Sequence, residues 1–192
     1  EANQYTVTFK DWDGSVLKTE QVAYNTAATA PAAPTREGYR FTGWDKTFDV
    51  ITGDTEITAQ YIKTWTVTFK DEDGTVLKTE IVDEGTGATA PTEPAKEGHT
   101  FAGWNAAFDN VTEDTVVTAT YTVNQYTVTF KDWDGSVLKT EQVAYNTGAS
   151  APTEPNREGY RFTGWDVSFE NIMGDTIVTA QYEKEESIVP PT

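Results

Sequence analysis

Large apolar side chains alternate with threonine along Tyr5-Thr-Val-Thr-Phe9. This period of two is that of a half-buried strand with Tyr5, Val7 and Phe9 on one face. Asp11-Trp-Asp-Gly14 follows, and Asp-Gly is a hairpin turn signal. Ser15–Tyr24 returns as a second strand whose facing is uneven: Val16 and Leu17 are adjacent, whereas Val22 and Tyr24 keep one parity, so a bulge is expected. Thr26–Ala30 allows one helical turn, with Thr26 as its N-cap and Pro31 as its stop. Pro31 and Pro34 then predict an extended strap across the domain in preference to a polyproline ligand for a partner. Glu37-Gly38 turns into a third strand, Tyr39–Asp45, where Gly43 marks a bulge that would bring Trp44 to the face of Phe41. Phe48 and Ile51 are expected to pin a loop to the core, and Glu56–Tyr61 is the closing strand.

The pattern occurs three times. Tyr5–Tyr61, Trp65–Tyr121 and Tyr126–Tyr182 align without a gap, each over 57 residues, and Asn3–Thr26 is identical to Asn124–Thr147. The first and third copies agree at 45 of 57 positions and the first and second at 33. The intervening Ile62–Thr64 and Thr122–Gln125 are too short to be flexible tethers. The expected organisation is three modules, 1–63, 64–123 and 124–183, followed by an acidic, proline-rich linker tail, 184–192. Each module should hold about four strands and at most a short helical turn. A unit this small lies near the lower limit for independent folding without a disulfide or metal. Its aromatic positions compensate, with Trp44, Trp104 and Trp165 assigned to the core.

Composition narrows the function. The chain carries 31 acidic and 14 basic residues, net −17, which argues against a nucleic-acid partner. It has no Cys and a single His, which removes disulfides, thiol catalysis and Cys-based zinc. No apolar run approaches the roughly 18 residues of a membrane span, so no membrane insertion is expected. Neither a leader nor an anchor is recognisable, and the sequence is expected to be a fragment of a longer protein. Like-charged modules in line predict an elongated, monomeric rod of about 80 Å, against about 42 Å for one globule of the same length.

Tyr-Thr-Val-Thr-Phe, the Asp-Gly turn, Ala-Pro-x-x-Pro, Glu-Gly-Tyr-x-Phe-x-Gly-Trp (Glu37–Trp44 and Glu158–Trp165) and a final Thr-Ala-x-Tyr resemble the Listeria–Bacteroides repeat, also called the internalin B-repeat family. The middle copy departs from it with His99 for the tyrosine and Glu84-Gly85 for Tyr24-Asn25. The resemblance implies tandem β-grasp-like modules, a mostly β (α+β) fold, on surface-exposed or secreted bacterial proteins. It brings no catalytic residue and no cofactor.

Asp11, Asp13, Asp71, Asp73, Asp132 and Asp134 are the candidates for a weak calcium site, although an EF-hand frame fails because Phe9 would fall on its first ligand position. The acidic hairpin turn is the plainer reading. Trp12 and Trp133 stand at hairpin tips and are the candidates for ligand binding, since an exposed ring can stack on a sugar face or fill a partner's pocket. Carboxylate pairs for glycoside hydrolysis would need a cleft that so small a unit lacks. No aligned position holds Asn in all three copies, which excludes one Lys–Asn crosslink common to every copy. The expected function is a non-enzymatic stalk or spacer in a bacterial cell-surface or secreted protein. The alternative is an adhesin or carbohydrate-binding module that meets a host protein or glycan through Trp12 and Trp133.

Overall fold

The computed structural model describes residues 3–186. The tail expected over 184–192 lies outside this range from residue 187 onward. Eleven strands are present: β1 (Gln4–Lys10), β2 (Val16–Ala23), β3 (Tyr39–Trp44), β4 (Thr55–Lys70), β5 (Val76–Asp83), β6 (His99–Trp104), β7 (Thr115–Val123), β8 (Gln125–Lys131), β9 (Val137–Ala144), β10 (Tyr160–Trp165) and β11 (Thr176–Lys184). The described residues contain no helix, so the fold is mostly β as expected.

Each repeat builds the same mixed sheet. β1 and β2 form an antiparallel hairpin, β1 pairs in parallel with β4 from Val7↔Thr55 to Lys10↔Thr58, and β3 closes antiparallel on β4. Strand order is therefore β2-β1-β4-β3 around a parallel central pair. The third repeat repeats it as β9-β8-β11-β10. Both expected bulges form. Register moves from Phe9↔Lys18 to Lys10↔Val16, leaving Leu17 unpaired, and from Phe41↔Tyr61 to Gly43↔Gln60, leaving Thr42 unpaired. The second bulge turns Trp44 toward Phe41, with ring centroids 5.4 Å apart.

Two stretches take a form that the sequence pattern leaves open. The helical turn at Thr26–Ala30 does not form, because its backbone is already engaged elsewhere. Asn25 N–H donates to Ile51 O, Ile51 N–H to Thr26 O and Ala28 N–H to Phe48 O, which holds the segment extended against the Phe48–Ile51 loop. The Thr26 hydroxyl donates to Ala23 O at 2.8 Å instead of capping a helix. Ile62–Thr64, expected to join two modules, lie inside β4, a single strand of 16 residues that closes the first repeat and opens the second. As a result β1 to β7 belong to one seven-stranded sheet.

A charged clamp holds the strap down in every repeat. Lys18 Nζ donates to Thr29 O and pairs with Glu20 at 2.8 Å, while Glu20 accepts from Thr29 N–H. Lys78, Glu80 and Thr89 repeat it, as do Lys139, Glu141 and Ser150. The lysine hydrogen bond is the main reason that all three glutamates are held below the usual carboxylate range. Pro31 and Pro34 are half-buried in the strap this clamp secures.

The chain divides into two compact units, Glu1–Thr92 with Trp104–Thr118, and Glu93–Gly103 with Ala119–Thr192. The first unit contains two cores. One gathers Val7, Phe9, Val22, Ile51 and Ile57, and the other Val67, Phe69, Val82, Val111 and Val117. The second unit is built on Val128, Phe130, Val143, Ile172 and Val178. The centre of each core is the phenylalanine, which is fully buried. Trp44, Trp104 and Trp165 are only partly buried and lie edge-on against it, with centroids 5.0 to 5.1 Å away. They cover the core rather than fill it.

Candidate binding surfaces at the hairpin tips

The β1–β2 turn is organised by its own carboxylates. Gly14 N–H donates to Asp11 O at 3.0 Å, Trp12 N–H to Asp11 Oδ1 at 2.8 Å and Ser15 N–H to Asp13 Oδ1 at 2.9 Å. A further donor reaches Asp11 from β4, which closes the first repeat: the Tyr61 hydroxyl, at 2.6 Å. Asp132 and Asp134 repeat the set with Trp133, Ser136 and Tyr182. Asp71 and Asp73 accept from the amides of Glu72 and Thr75. Hydrogen bonds from Ser15 and Ser136 hold Asp13 and Asp134 below the usual carboxylate range, and the Thr75 amide does the same for Asp73. Among the described residues no group of three or more acidic or His side chains is placed to hold a metal ion. In this geometry the six aspartates of the calcium expectation serve their turns.

Trp12 and Trp133 stand where the sequence places them, about half exposed at 52% and 53%. Neither ring is bare on both faces. The Arg36 guanidinium lies 3.9 Å from the Trp12 ring and 3.6 Å from that of Tyr39, so it is stacked between two aromatics. Arg157 repeats this between Trp133 and Tyr160, at 3.9 and 3.8 Å. A planar guanidinium suits such a stack better than an ammonium. The middle repeat has Glu72 at the tip and Lys96 in place of the arginine, with its ammonium 5.5 Å from Tyr121. The arginines were not singled out from the sequence, although a signal exists. Across the three copies the tip and position 36 change together, as Trp with Arg, Glu with Lys and Trp with Arg. Trp65, aligned with Tyr5 and Tyr126, has its indole N–H buried without an acceptor, and Lys63 Nζ lies 3.7 Å from its ring.

Partial desolvation, and then the Asp11 and Asp132 carboxylates, push the Tyr61 and Tyr182 hydroxyls up to about 12. A pKa raised on folding stabilises fully below the ordinary tyrosine value of 10 and is lost as pH rises through 12. Stability is therefore expected to fall across this window. In a phenolate-absorbance titration, Tyr61→Phe with Tyr182→Phe should remove a late-ionising component. A titration curve unchanged by both substitutions would show that the Asp–Tyr bonds do not persist in solution.

Comparison with known proteins places the chain. The Listeria–Bacteroides repeat domain model matches residues 5–63, 65–125 and 126–168, and the chain belongs to this family. Its family is one of repeat domains that bring no catalytic machinery. A protein of Evansella cellulosilytica is 30% identical over 186 residues, covering 86% of this chain and 28% of the relative. Internalin H of Listeria monocytogenes is 38% identical over 120 residues, covering 57% of this chain and 20% of its own length. The chain thus spans less than a third of each. Among solved structures, streptococcal SHIRT domains 3-4 from a cell surface protein align with 64% of this chain and 98% of theirs at 20% identity and a TM-score of 0.28. The type 2 repeat of the mucus binding protein MUB from Lactobacillus reuteri aligns with 64% of this chain and 99% of its own at 19% identity and a TM-score of 0.18.

Proposed function

We propose that the chain is a structural repeat array, a stalk or spacer in a bacterial cell-surface or secreted protein, built of modules 1–63, 64–123 and 124–183. The family matches support that division, and the likeness to internalin H supports the location. The observation that carries the reading is where the polar side chains are spent. Asp11 is bound by the turn and by Tyr61, Arg36 is stacked on Trp12 and Tyr39, and Lys18 and Glu20 hold the strap, all within the fold. Such groups organise the module and leave little chemistry facing outward.

One observation favours a second reading, an adhesin for a glycan or host protein. About half of each tip indole remains open to solvent despite the stacked arginine. A glycan array and a host-mucin pull-down with the full chain separate the two. A spacer retains no ligand above background. Retention that is lost in Trp12→Ala with Trp133→Ala would replace the spacer reading by the adhesin one.

A further inference from the structure

Three aligned glycines, Gly38, Gly98 and Gly159, follow a glutamate at the entry to the third strand of each repeat, and all have positive φ (73°, 68° and 74°). Their surroundings differ. Over Gly98 lies the ring of Tyr145, so close that a Cβ on the glycine would sit 2.0 Å from Cδ1. The Tyr145 hydroxyl donates to Glu97 Oε1 at 2.8 Å, and its ring is tilted against Tyr126 at 6.4 Å. A Cβ on Gly38 would meet nothing within 4 Å. The space there opens into a groove of about 610 Å³, with Gly38 and Tyr39 on one side, Thr64 at the base, and Ile81 and Val82 on the other side. At the position of Tyr145 in the third repeat, and of Tyr24 in the first, the second repeat has the exposed Glu84.

We infer that the groove over Gly38 binds the side chain of a tyrosine presented by a partner polypeptide, with its ring over the glycine and its hydroxyl donating to Glu37. The chain itself holds the precedent, since residues that surround Tyr145 have counterparts here, with Lys63, its ammonium 3.7 Å from the Trp65 ring, standing where that seat has Asn124. Glu37 corresponds to Glu97, Gly38 to Gly98, Val82 to Val143 and Trp65 to Tyr126. Glu37 and Trp65 line the continuation of the groove along β4. The rim differs from that seat, because the paired Arg40 and Asp83 also line it, where the residues around Tyr145 include Thr100 and Ala144 at the aligned positions. Ile81 is 70% exposed there, where the other repeats place Gln21 and Gln142. A buried phenol ring with one satisfied hydroxyl suits such a mixed lining. The bare Gly159 has no following repeat among the described residues to supply a second wall, so it should not bind. This inference does not depend on whether the array is a spacer or an adhesin.

The test is a titration of the full chain with N-acetyl-tyrosinamide, followed by amide NMR. The Gly38 amide is expected to shift and saturate, with Gly98 and Gly159 unmoved. N-acetyl-phenylalaninamide, which cannot donate to Glu37, should bind several-fold more weakly. Glu84→Tyr should abolish the Gly38 shift by filling the groove from within the chain, and the fold already carries Tyr at the aligned positions. Ile81→Gln, a residue both other repeats accommodate, should weaken binding several-fold, and it keeps the test available if Glu84→Tyr misfolds. A silent Gly38, a shift unchanged in both variants, or an equal shift at Gly159 would each overturn the proposal.

Discussion

Phe69→Ala is expected to destabilise the middle core by about 3–5 kcal/mol, measured by urea unfolding with tryptophan fluorescence. Phe69 is fully buried on the strand shared by two repeats. Its ring meets Trp104 and Phe108 edge-on, both at 5.1 Å. Removing it forfeits the transfer free energy of the ring, leaves a cavity and breaks two aromatic pairs, each contributing about 0.5–1.5 kcal/mol beyond area burial. A domain is stable by only about 5–15 kcal/mol in total, so the loss should be visible as a separate early transition or as collapse of the whole curve. Trp12→Ala is the contrast. It removes one exposed cation–π contact and should cost less than about 1 kcal/mol. Similar losses from the two substitutions would mean that the phenylalanine is not the centre of the core.

Gly98→Ala and Gly38→Ala should separate two costs that usually arrive together. Both glycines sit at a positive φ near +70°, where an L side chain is strained by about 1–2 kcal/mol. At Gly38 the added methyl enters open space, so the strain is the whole cost. At Gly98 it would also strike the Tyr145 ring, which is fixed by its bond to Glu97 and its contact with Tyr126. Displacing that ring adds an overpacking cost of about 1–3 kcal/mol. Gly98→Ala is therefore expected to lower the thermal midpoint by clearly more than Gly38→Ala, and Tyr145→Ala in the same chain should remove the difference. Equal effects in the scan would show that Tyr145 does not occupy this position in solution.

Much of the fold was legible because its signals are local. Alternation at Tyr5–Phe9 marks β1, and the parity breaks at Val16-Leu17 and around Gly43 mark the two bulges. What escaped depends on partners distant in sequence. Ile62–Thr64 fall where the repeat alignment ends, which suggests a joint, yet Arg40 pairs with Ile62 and Tyr39 with Lys63, and this pairing carries β4 across. Asp83 then fixes the crossing by accepting from both Arg40 Nε and Nη2. At Thr26–Ala30 the Ala and Thr residues permit a helical turn locally, while Phe48 and Ile51 claim the backbone. At the tips, Trp12 and Asp11 were visible as chemistry-bearing residues. Their actual partners, Arg36 and Tyr61, lie 24 and 50 residues away. Glu84-Gly85 stood out as a departure from the other copies. Only part of it is conservative: Gly85 keeps the positive φ of Asn25 and Asn146 (76°, 62° and 58°), whereas Glu84 vacates the space a tyrosine fills elsewhere.

The parallel pairing of the first and last strand in each repeat has a mechanical meaning. Val7–Lys10 lie beside Thr55–Thr58, Val67–Lys70 beside Thr115–Thr118, and Val128–Lys131 beside Thr176–Thr179, always running in the same direction. Tension applied to the two ends of a repeat pulls these neighbours past each other lengthwise. Their hydrogen bonds are then loaded together in shear, where an antiparallel end pair would be peeled open one bond at a time. Rupture under load is governed by the height of the unfolding barrier, not by equilibrium stability. A repeat wired in this way is expected to resist being drawn apart at its two ends while remaining only modestly stable at rest.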